Sequence, residues 1–347
     1  MLSLIELSGS PLQVGRALGK FGAQAAHSYL VSSDSWNSVM AWRGSDTAKT
    51  MQTLAERHFP LVYQEIMGLA AGLELPAEDV FLWNCRGDVW SMARDGCTTV
   101  QLPLADGPRI THNEDGDPGF AGYCGIGLFA PDEELRFASF VYPASIPGHT
   151  FAVNEHGLAM TVNNLRARQV AVGVPRMVLT RAILDQSRLS QAVALLRSTP
   201  RAGGFHLSLA QRGQKELLSV EFTAAEVSAQ PIQTPTLHAN HAVHESMRDF
   251  PQVITDSSLH RQQRGSFLLG PVSADSKASM DDIDPLSILA DQNNRQFPIY
   301  RNAPDDSDAE NTMATADMHV GAEHVKWEVY EHPGQQASFN LIDAQLA

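Results

Sequence analysis

The chain has 347 residues, of which 43% are hydrophobic and 18% are charged. This composition is typical of a folded globular protein and excludes a disordered or fibrous one. Its 39 acidic and 25 basic residues give a formal net charge of −14, which disfavours nucleic acid or an anionic membrane as a partner.

The cysteine count and the first residues of the sequence predict the compartment in which the protein is found. Cys85, Cys97 and Cys124 cannot all pair with one another, so we interpret them as reduced thiols in a cytosol-like compartment. The first residues lack the basic and apolar segments of a secretory signal. No apolar stretch approaches the roughly 20 residues that span a bilayer. We therefore expect a soluble, cytoplasmic protein.

The first ninety residues or so are mainly helical in pattern. Apolar residues recur at helical spacing over 14–25 and 54–69, Pro60 interrupts the second pattern, and a third helix is predicted over 77–83. Pro76 and the acidic residues after it are typical of a helix start. This segment therefore predicts a helical layer.

From Cys97 onward the pattern changes to short β-like runs separated by Gly, Pro, Asp and Asn. The predicted strands are 98–102, 109–112, 136–141, 150–153, 158–162, 206–210, 217–222, 226–229, 236–239, 313–320 and 324–329. The predicted helices among them are 175–186, 190–197 with Ser190 as N-cap, 257–269 and 283–289. This order predicts a layered α+β domain in which helices cover two antiparallel sheets.

The segment Asp95-Gly96-Cys97-Thr98-Thr99 lies where helices give way to strands and carries the most chemistry. A thiol is a strong nucleophile once ionised, but it needs a base and donors for the oxyanion that it creates. Cleavage of the Gly96–Cys97 bond would give Cys97 a free α-amine with a pKa of about 7.7 to 8. Base and nucleophile would then belong to one residue.

Self-cleavage would also explain the glycine before the cysteine. Gly96 tolerates a strained backbone that exposes its carbonyl to attack by the Cys97 sulfur. The alternative is that Cys97 is an ordinary buried thiol after a turn, since free cysteine is among the most buried residue types. The local sequence leaves both interpretations open.

Several segments together resemble one known family. They are Asp95–Thr99, Gln101–Pro103, Asn113–Asp115, Val153–Leu158 with Asn163–Leu165, His238–His241, Asp256–Ser258 with Arg261, and Ala316–Met318. In this order they resemble the acyl-coenzyme A:6-aminopenicillanate acyltransferase family, the C45 family of N-terminal-nucleophile peptidases. The resemblance implies a four-layer αββα sandwich over residues 1–347, cut into 1–96 and 97–347.

The resemblance also implies roles for three residues. Cys97 matches the nucleophile, with the cleavage site between Gly96 and Cys97. Asn240 matches the side-chain amide of the oxyanion hole, and Asp115 matches an essential acid that supports processing or positions the nucleophile. Amide NH₂ groups suit an oxyanion hole because they donate hydrogen bonds without titrating.

One position departs from the family pattern. Glu114 stands where the family usually has an aromatic residue, so it could recognise a cationic substrate or simply face solvent, as most surface acids do. With Thr98, His112 and Asn113, it is a candidate for substrate binding.

Other features have more ordinary interpretations. His238, His241 and His244 are clustered, but a strand would direct the first two to opposite faces, so we predict no metal site. Residues 115–117 lack the ligand ladder of a calcium loop. The glycines at 122, 125 and 127 are interpreted as a flexible loop beside the site, residues 305–308 as a solvated turn, and Cys85 and Cys124 as packed thiols.

The sequence therefore predicts a self-processing cysteine amidohydrolase without a cofactor. Its substrate would be a small-molecule amide or acyl compound, its 1–96 fragment would stay bound after cleavage, and it could form a homo-oligomer. The alternatives are an acyltransferase that uses coenzyme A or an amine, a non-catalytic ligand-binding homologue, and a Cys–His thiol protease with His112 as base.

Overall fold

The structure is a computed structural model that describes residues 1–93, 95–270 and 280–347. Its helices are α1 (Pro11–Ser28), α2 (Asp34–Met40), α3 (Asp46–His58), α4 (Pro60–Leu73), α5 (Ala77–Trp83), α6 (Arg86–Val89), α7 (Arg176–Ile183), α8 (Leu189–Ser198), α9 (Asp256–Leu269) and α10 (Pro285–Leu289). The predicted interruption at Pro60 is confirmed, because Pro60 begins α4 directly after α3 ends.

The strands are β1 (Ser3–Gly9), β2 (Asp95–Leu102), β3 (Arg109–Gly116), β4 (Gly125–Pro131), β5 (Phe137–Val141), β6 (Phe151–Asn154), β7 (Leu158–Asn164), β8 (Phe205–Gln211), β9 (Leu217–Phe222), β10 (Val227–Pro231), β11 (Thr236–His238), β12 (Asn311–Val320), β13 (Val325–Tyr330), β14 (Phe339–Ile342) and β15 (Gln345–Leu346). Within the described residues they form two sheets. The first sheet has the order β1-β4-β5-β6-β7-β8-β9-β10, and the second has the order β11-β2-β3-β12-β13-β14-β15.

Helices cover the outer face of both sheets. α1 packs on β1, β4 and α4, and α8 packs on β8 and β10, all on the first sheet. α9 and α10 pack on β11, β2 and β3 of the second sheet, while β2 contacts β7 across the space between the sheets. The predicted four-layer αββα sandwich is therefore confirmed. No helix in the described ranges combines the length and apolar character that crossing a membrane requires.

Two local predictions were wrong at the edge of the first sheet. The N-terminal segment contains β1, which pairs in parallel with β4, whereas we expected helices and antiparallel pairing only. Gly125 and Gly127 lie in β4 and not in a flexible loop beside the site. A Cβ on Gly125 would lie 2.5 Å from the Ser3 carbonyl oxygen, so glycine is needed here for the close approach of β1.

The start of α8 also differs from its prediction. The helix begins at Leu189 with Arg188 in the N-cap position, so Ser190 lies in the first turn and does not cap it. The Arg188 backbone is already extended, with φ −142° and ψ 142°. Helix ends are set by such local geometry, and a serine near the start is only one signal of it.

The apolar core between the sheets extends to the chemistry-bearing strands. Phe151 packs against Phe140 and Trp327 with ring centroids 5.2 and 6.3 Å away, and against the His112 ring at 5.9 Å. Burial of a Phe side chain stabilises the fold by about 1.5–3 kcal/mol. This core therefore holds the β3 residues rigidly against the first sheet.

Close contact between α1 and α4 gives a test of the helical layer. A Cβ on Gly68 of α4 would lie 2.1 Å from the Leu12 carbonyl oxygen and 2.9 Å from the Arg16 nitrogen of α1. We expect Gly68→Ala to lower the free energy of unfolding in urea by about 2 kcal/mol, because overpacking outweighs the better helix propensity of alanine. Gly334→Ala, at an exposed site with a nearest contact of 3.4 Å, is the control and should change stability by less than about 0.5 kcal/mol. Equal effects would contradict the packing described.

Candidate active site

Cys97 lies near the start of β2, the second strand of the second sheet, where β2 pairs with β3. Its side chain is 3% exposed. The chain is continuous across Gly96–Cys97, and both residues pair in regular register with β3, Gly96 opposite Asp115 and Cys97 opposite Glu114. The proposed cleavage site is therefore a peptide bond inside a strand.

Side chains of β2 alternate between two environments, as strand geometry requires. Thr99 donates to Asn163 of β7, 2.8 Å away, and so faces the first sheet together with Cys97. Thr98 accepts from Arg261 of α9, 2.7 Å away, and so faces the helical layer together with Gly96. The thiol and the preceding glycine thus lie on opposite faces of the second sheet.

The backbone of Cys97 is held by Asn240 and Arg261. The Cys97 nitrogen donates to Asn240 Oδ1 over 3.0 Å, and Arg261 Nη1 donates to the Cys97 carbonyl oxygen over 2.5 Å. Arg261 Nη2 also donates to Asn240 Oδ1 over 2.6 Å. Because Arg261 and the Cys97 N–H can only donate, they fix which amide atom of Asn240 faces Cys97.

The Nδ2 group of Asn240 contacts Asn164, a residue to which the sequence analysis assigned no role. Asn240 Nδ2 donates to the Asn164 carbonyl oxygen, 3.3 Å away. The side chain of Asn164 is 2% exposed, and its Nδ2 has no hydrogen-bond partner among the described residues. A buried amide donor without a partner is costly, and such groups mark sites prepared for a ligand or reacting oxygen.

The Cys97 sulfur faces two polar groups of β3. Glu114 Oε2 lies 3.5 Å from the sulfur and 3.2 Å from His112 Nε2. Glu114 is 2% exposed, so the interpretation of Glu114 as a solvent-facing acid was wrong. Burial lowers the pKa of His112 to about 3, which leaves its imidazole neutral at physiological pH. The thiol therefore faces the Glu114 carboxyl group, which in turn contacts the neutral imidazole of His112.

Asp115 lies on the opposite face, beneath the Gly96 backbone. Thr312 donates to Asp115 Oδ1 over 2.6 Å, and Arg301 Nη1 lies 3.7 Å from Oδ2. Burial raises the pKa of Asp115 to about 6, against the opposing effect of Arg301. Asp115 is therefore separated from the thiol by the strand itself and faces the Gly96 side of the bond.

Arg301 and Glu310 form a buried ion pair of 2.6 Å at this face, and Arg166 binds the second oxygen of Glu310 over 2.8 Å. A Cβ on Gly96 would lie 2.1 Å from Glu310 Oε2 and 2.8 Å from Arg301 Nη1. Gly96 has no positive φ, so the expected backbone strain is not the reason for glycine. Glycine is needed because this ion pair occupies the space that a side chain at position 96 would fill.

The loop before β12 contributes to the same cluster. Arg301 Nε donates to Asp306 Oδ2 over 2.9 Å, and Asp308 Oδ2 lies 3.8 Å from Arg301 Nη2. The interpretation of residues 305–308 as a solvated turn was therefore wrong for these two acids. Sequence reasoning gave no role to Arg301, because one arginine before an acidic loop carries no recognisable motif.

The remaining predicted residues have structural contacts. Asn113 Nδ2 donates to the Leu289 carbonyl oxygen over 2.9 Å, and Thr315 donates to Asn113 Oδ1 over 2.6 Å. Thr98 is fully buried under Arg261. Both side chains face the helical layer, so neither shares the face of the thiol.

The clustered histidines have protein partners. His238 Nε2 lies 2.9 Å from Glu221, His241 Nδ1 lies 2.8 Å from Ser258, and His244 Nε2 lies 2.9 Å from Ser219. Within the part of the chain that the structure describes, the three do not converge as metal ligands.

The two other thiols are buried. Burial raises the pKa of Cys85 and of Cys124 above the ordinary thiol value. The Glu114 carboxylate adds to the effect at Cys124, which places that thiol within electrostatic reach of the site. Both are therefore weaker nucleophiles than an accessible thiol.

The Arg261 contacts give a stability test. We expect Arg261→Lys to lower the free energy of unfolding by about 2–3 kcal/mol, because an ammonium cannot replace the planar fork that reaches Cys97 and Asn240. Arg264→Lys is the matched control in the same helix, since Arg264 pairs with Asp291 near the surface and such pairs contribute about 0–1 kcal/mol. Urea unfolding measures the stability of both variants. Equal losses of unfolding free energy would contradict the role described for the Arg261 contacts.

Comparisons with known proteins place this chain in a family. A model of the family described as acyl-coenzyme A:6-aminopenicillanic acid acyl-transferase matches residues 105–332, which include Asp115, Asn240, Arg261 and Arg301 and begin after Cys97. The chain is 22% identical over 214 residues to a Drosophila melanogaster protein named beta-alanyl-dopamine/carcinine hydrolase. That match covers 54% of this chain and 55% of the relative, so the chain spans about half the relative's length.

Among solved structures, the chain is similar to penicillin V acylase from Agrobacterium tumefaciens, with 14% identity and a TM-score of 0.40. The likeness covers 67% of this chain and 82% of the acylase chain. Since the family model matches well over half of the sequence, this protein belongs to the acyl-coenzyme A:6-aminopenicillanic acid acyl-transferase family.

Proposed function

We propose that this protein is an amide hydrolase that cleaves itself between Gly96 and Cys97 and then uses Cys97 as its nucleophile. The observation that carries the proposal is the placement of Cys97. Asn240 and Arg261 hold its backbone, and its sulfur faces the space between the sheets, 3.5 Å from Glu114 Oε2. Membership of a family of acyl-transferring proteins supports the same chemistry.

Self-cleavage would proceed by attack of the Cys97 sulfur on the Gly96 carbonyl carbon. The carbon–sulfur bond forms, the carbon–nitrogen bond breaks, and the thiol proton moves to the Cys97 nitrogen. Water then hydrolyses the thioester to release a Gly96 carboxylate and restore the thiol. Asn240 Oδ1 already accepts from the Cys97 nitrogen and would keep the new amine in place.

Asp115, Arg301 and Glu310 support this step from the helical side. Arg301 and Glu310 leave no space for a side chain at Gly96, and Asp115 lies opposite Gly96 on β3, so the three limit the movements of the scissile carbonyl. We assign Asp115 a positioning role, because the strand separates its carboxyl group from the sulfur. A pKa of about 6 also lets Asp115 exchange a proton near neutral pH.

After cleavage, the α-amine of Cys97 would be the base. Its ordinary pKa of about 7.7–8 lies near neutral pH, where a base is most effective. His112 is a poorer candidate, since burial lowers its pKa to about 3. This difference favours an N-terminal nucleophile over a Cys–His protease.

The oxyanion of the substrate would be stabilised by side-chain amides. Asn240 Nδ2 and Asn164 Nδ2 are both buried donors, and the Asn164 donor has no partner among the described residues. Neutral donors in a dry site stabilise a developing negative charge without prior reorganisation. We therefore extend the predicted oxyanion residue Asn240 to the pair Asn240 and Asn164.

The acyl group would pass from the substrate amide to Cys97 and then to water. We favour water over coenzyme A as the acceptor, because a formal charge of −14 disfavours a polyanionic cofactor. For the substrate we favour small N-acyl amides, including β-alanyl amides of the kind in the Drosophila relative's name. Transfer to an amine remains the second candidate, since the family description is that of an acyl-transferase.

Trapping of the acyl-enzyme tests this proposal. Purified protein is mixed with a panel of N-acyl amides, quenched in acid and measured by mass spectrometry. We expect the polypeptide that carries Cys97 to gain one acyl mass, because an acyl-thioester is stable in acid while its hydrolysis needs the active site. Peptide mapping should locate the adduct on Cys97.

Two variants control the trapping experiment. Cys97→Ala should show neither adduct nor turnover, and Cys124→Ser should retain both because Cys124 is a packed thiol. Turnover in Cys97→Ala would refute the assignment. Absence of turnover and adduct in the wild type across the panel would favour the non-catalytic ligand-binding alternative. Faster loss of the adduct on addition of an amine would identify acyl transfer.

A further inference from the structure

The polar groups around Cys97 have the geometry of a metal site. Cys97 Sγ, His112 Nε2 and a Glu114 carboxylate oxygen lie within 4.8 Å of one another. The measured distances are 3.5 Å from Sγ to Oε2 and 3.2 Å from Nε2 to Oε2. Tetrahedral Zn²⁺, with bonds of about 2.3 Å to sulfur and about 2.0–2.2 Å to nitrogen and oxygen, separates such ligand atoms by about 3.4–3.6 Å. The two distances to Oε2 therefore differ from this range by at most a few tenths of an ångström.

A chain of hydrogen bonds fixes the tautomer of His112. The His238 carbonyl oxygen can only accept, so Asn163 Nδ2, 3.1 Å away, faces it and Asn163 Oδ1 faces Thr99. Oδ1 can only accept as well, so the Thr99 hydroxyl donates to it over 2.8 Å. The Thr99 oxygen must then accept from His112 Nδ1, 2.8 Å away.

This arrangement assigns the ring hydrogen of His112 to Nδ1. Nε2 is therefore the nitrogen that faces Glu114, and in the neutral ring it carries a lone pair. A nitrogen lone pair 3.2 Å from a carboxyl oxygen requires either a proton or a cation between them. Orientation of a ligating histidine by a hydrogen bond at its other nitrogen is a regular feature of protein metal sites.

Charge and ligand type select the cation. A thiolate and a carboxylate together neutralise one divalent ion, and a neutral complex is what a buried site tolerates best. The ligand set of sulfur, nitrogen and oxygen suits Zn²⁺, whereas Mg²⁺ and Ca²⁺ prefer oxygen ligands alone. On binding, the Cys97 thiol would release its proton to solvent.

We propose that Cys97, His112 and Glu114 form a Zn²⁺ site, and that bound Zn²⁺ inhibits the protein by occupying the sulfur of Cys97. The three residues are 3%, 0% and 2% exposed, so the ion would be held between the sheets. Binding of the ion does not depend on whether the protein hydrolyses amides.

Titration of the purified protein with Co²⁺ or Cd²⁺ tests the site directly, because a thiolate bound to either ion gives a charge-transfer absorption. We expect one equivalent to bind in the wild type and Zn²⁺ to displace it. Cys97→Ala should lose the absorption, and Glu114→Gln and His112→Gln should weaken binding at least about tenfold. Cys124→Ser is the matched control and should titrate like the wild type.

A second readout on the wild type avoids any dependence on folded variants. We expect Zn²⁺ to protect Cys97 from alkylation by iodoacetamide, measured by peptide mapping, and a chelator to restore the labelling. Thr99→Val should weaken Zn²⁺ binding about tenfold, because it removes the hydrogen bond that fixes His112. A wild type without charge-transfer absorption or protection, or absorption that persists in Cys97→Ala, would overturn the proposal. The outcome of the acyl-enzyme experiment does not depend on either result.

Discussion

The alternation of side chains along β2 is the constraint on which the rest of the site depends. Consecutive residues of a strand face opposite sides of the sheet, so Cys97 faces the interior between the sheets while Gly96 and Thr98 face the helical layer. A single peptide bond thereby separates two environments. Asn240 and Arg261 bind the backbone on the helical side and leave the sulfur to the groups of β3.

The two environments differ in electrostatics. On the helical side, Arg301, Glu310 and Arg166 form a paired buried cluster, in which the charges offset one another's desolvation. Between the sheets, the thiol faces the carboxyl group of Glu114, which contacts the neutral imidazole of His112. Under our proposal, the α-amine released by cleavage is the base that this thiol needs.

Much of this could be predicted from the sequence. Hydrophobic periodicity and turn residues predicted the helical pattern over 54–69, the helix 77–83 and most strands. The Asp-Gly-Cys segment predicted which cysteine we propose as the nucleophile. β1 and β4 were both missed. In β4 the reason is that Gly125, which allows the close approach of β1, looks like a loop residue. Arg301, Asn164 and the roles of Glu114 and Gly96 could not be predicted, because they depend on which groups of distant segments the sheet register brings together.

The most direct test of the account is the mass of the purified wild-type chain after incubation. The account predicts two polypeptides, residues 1–96 and 97–347, that stay associated in solution, with masses that add up to the intact chain plus one water and with Cys97 as the first residue of the larger. An enzymatically active preparation in which a single species of 37.8 kDa persists would contradict it.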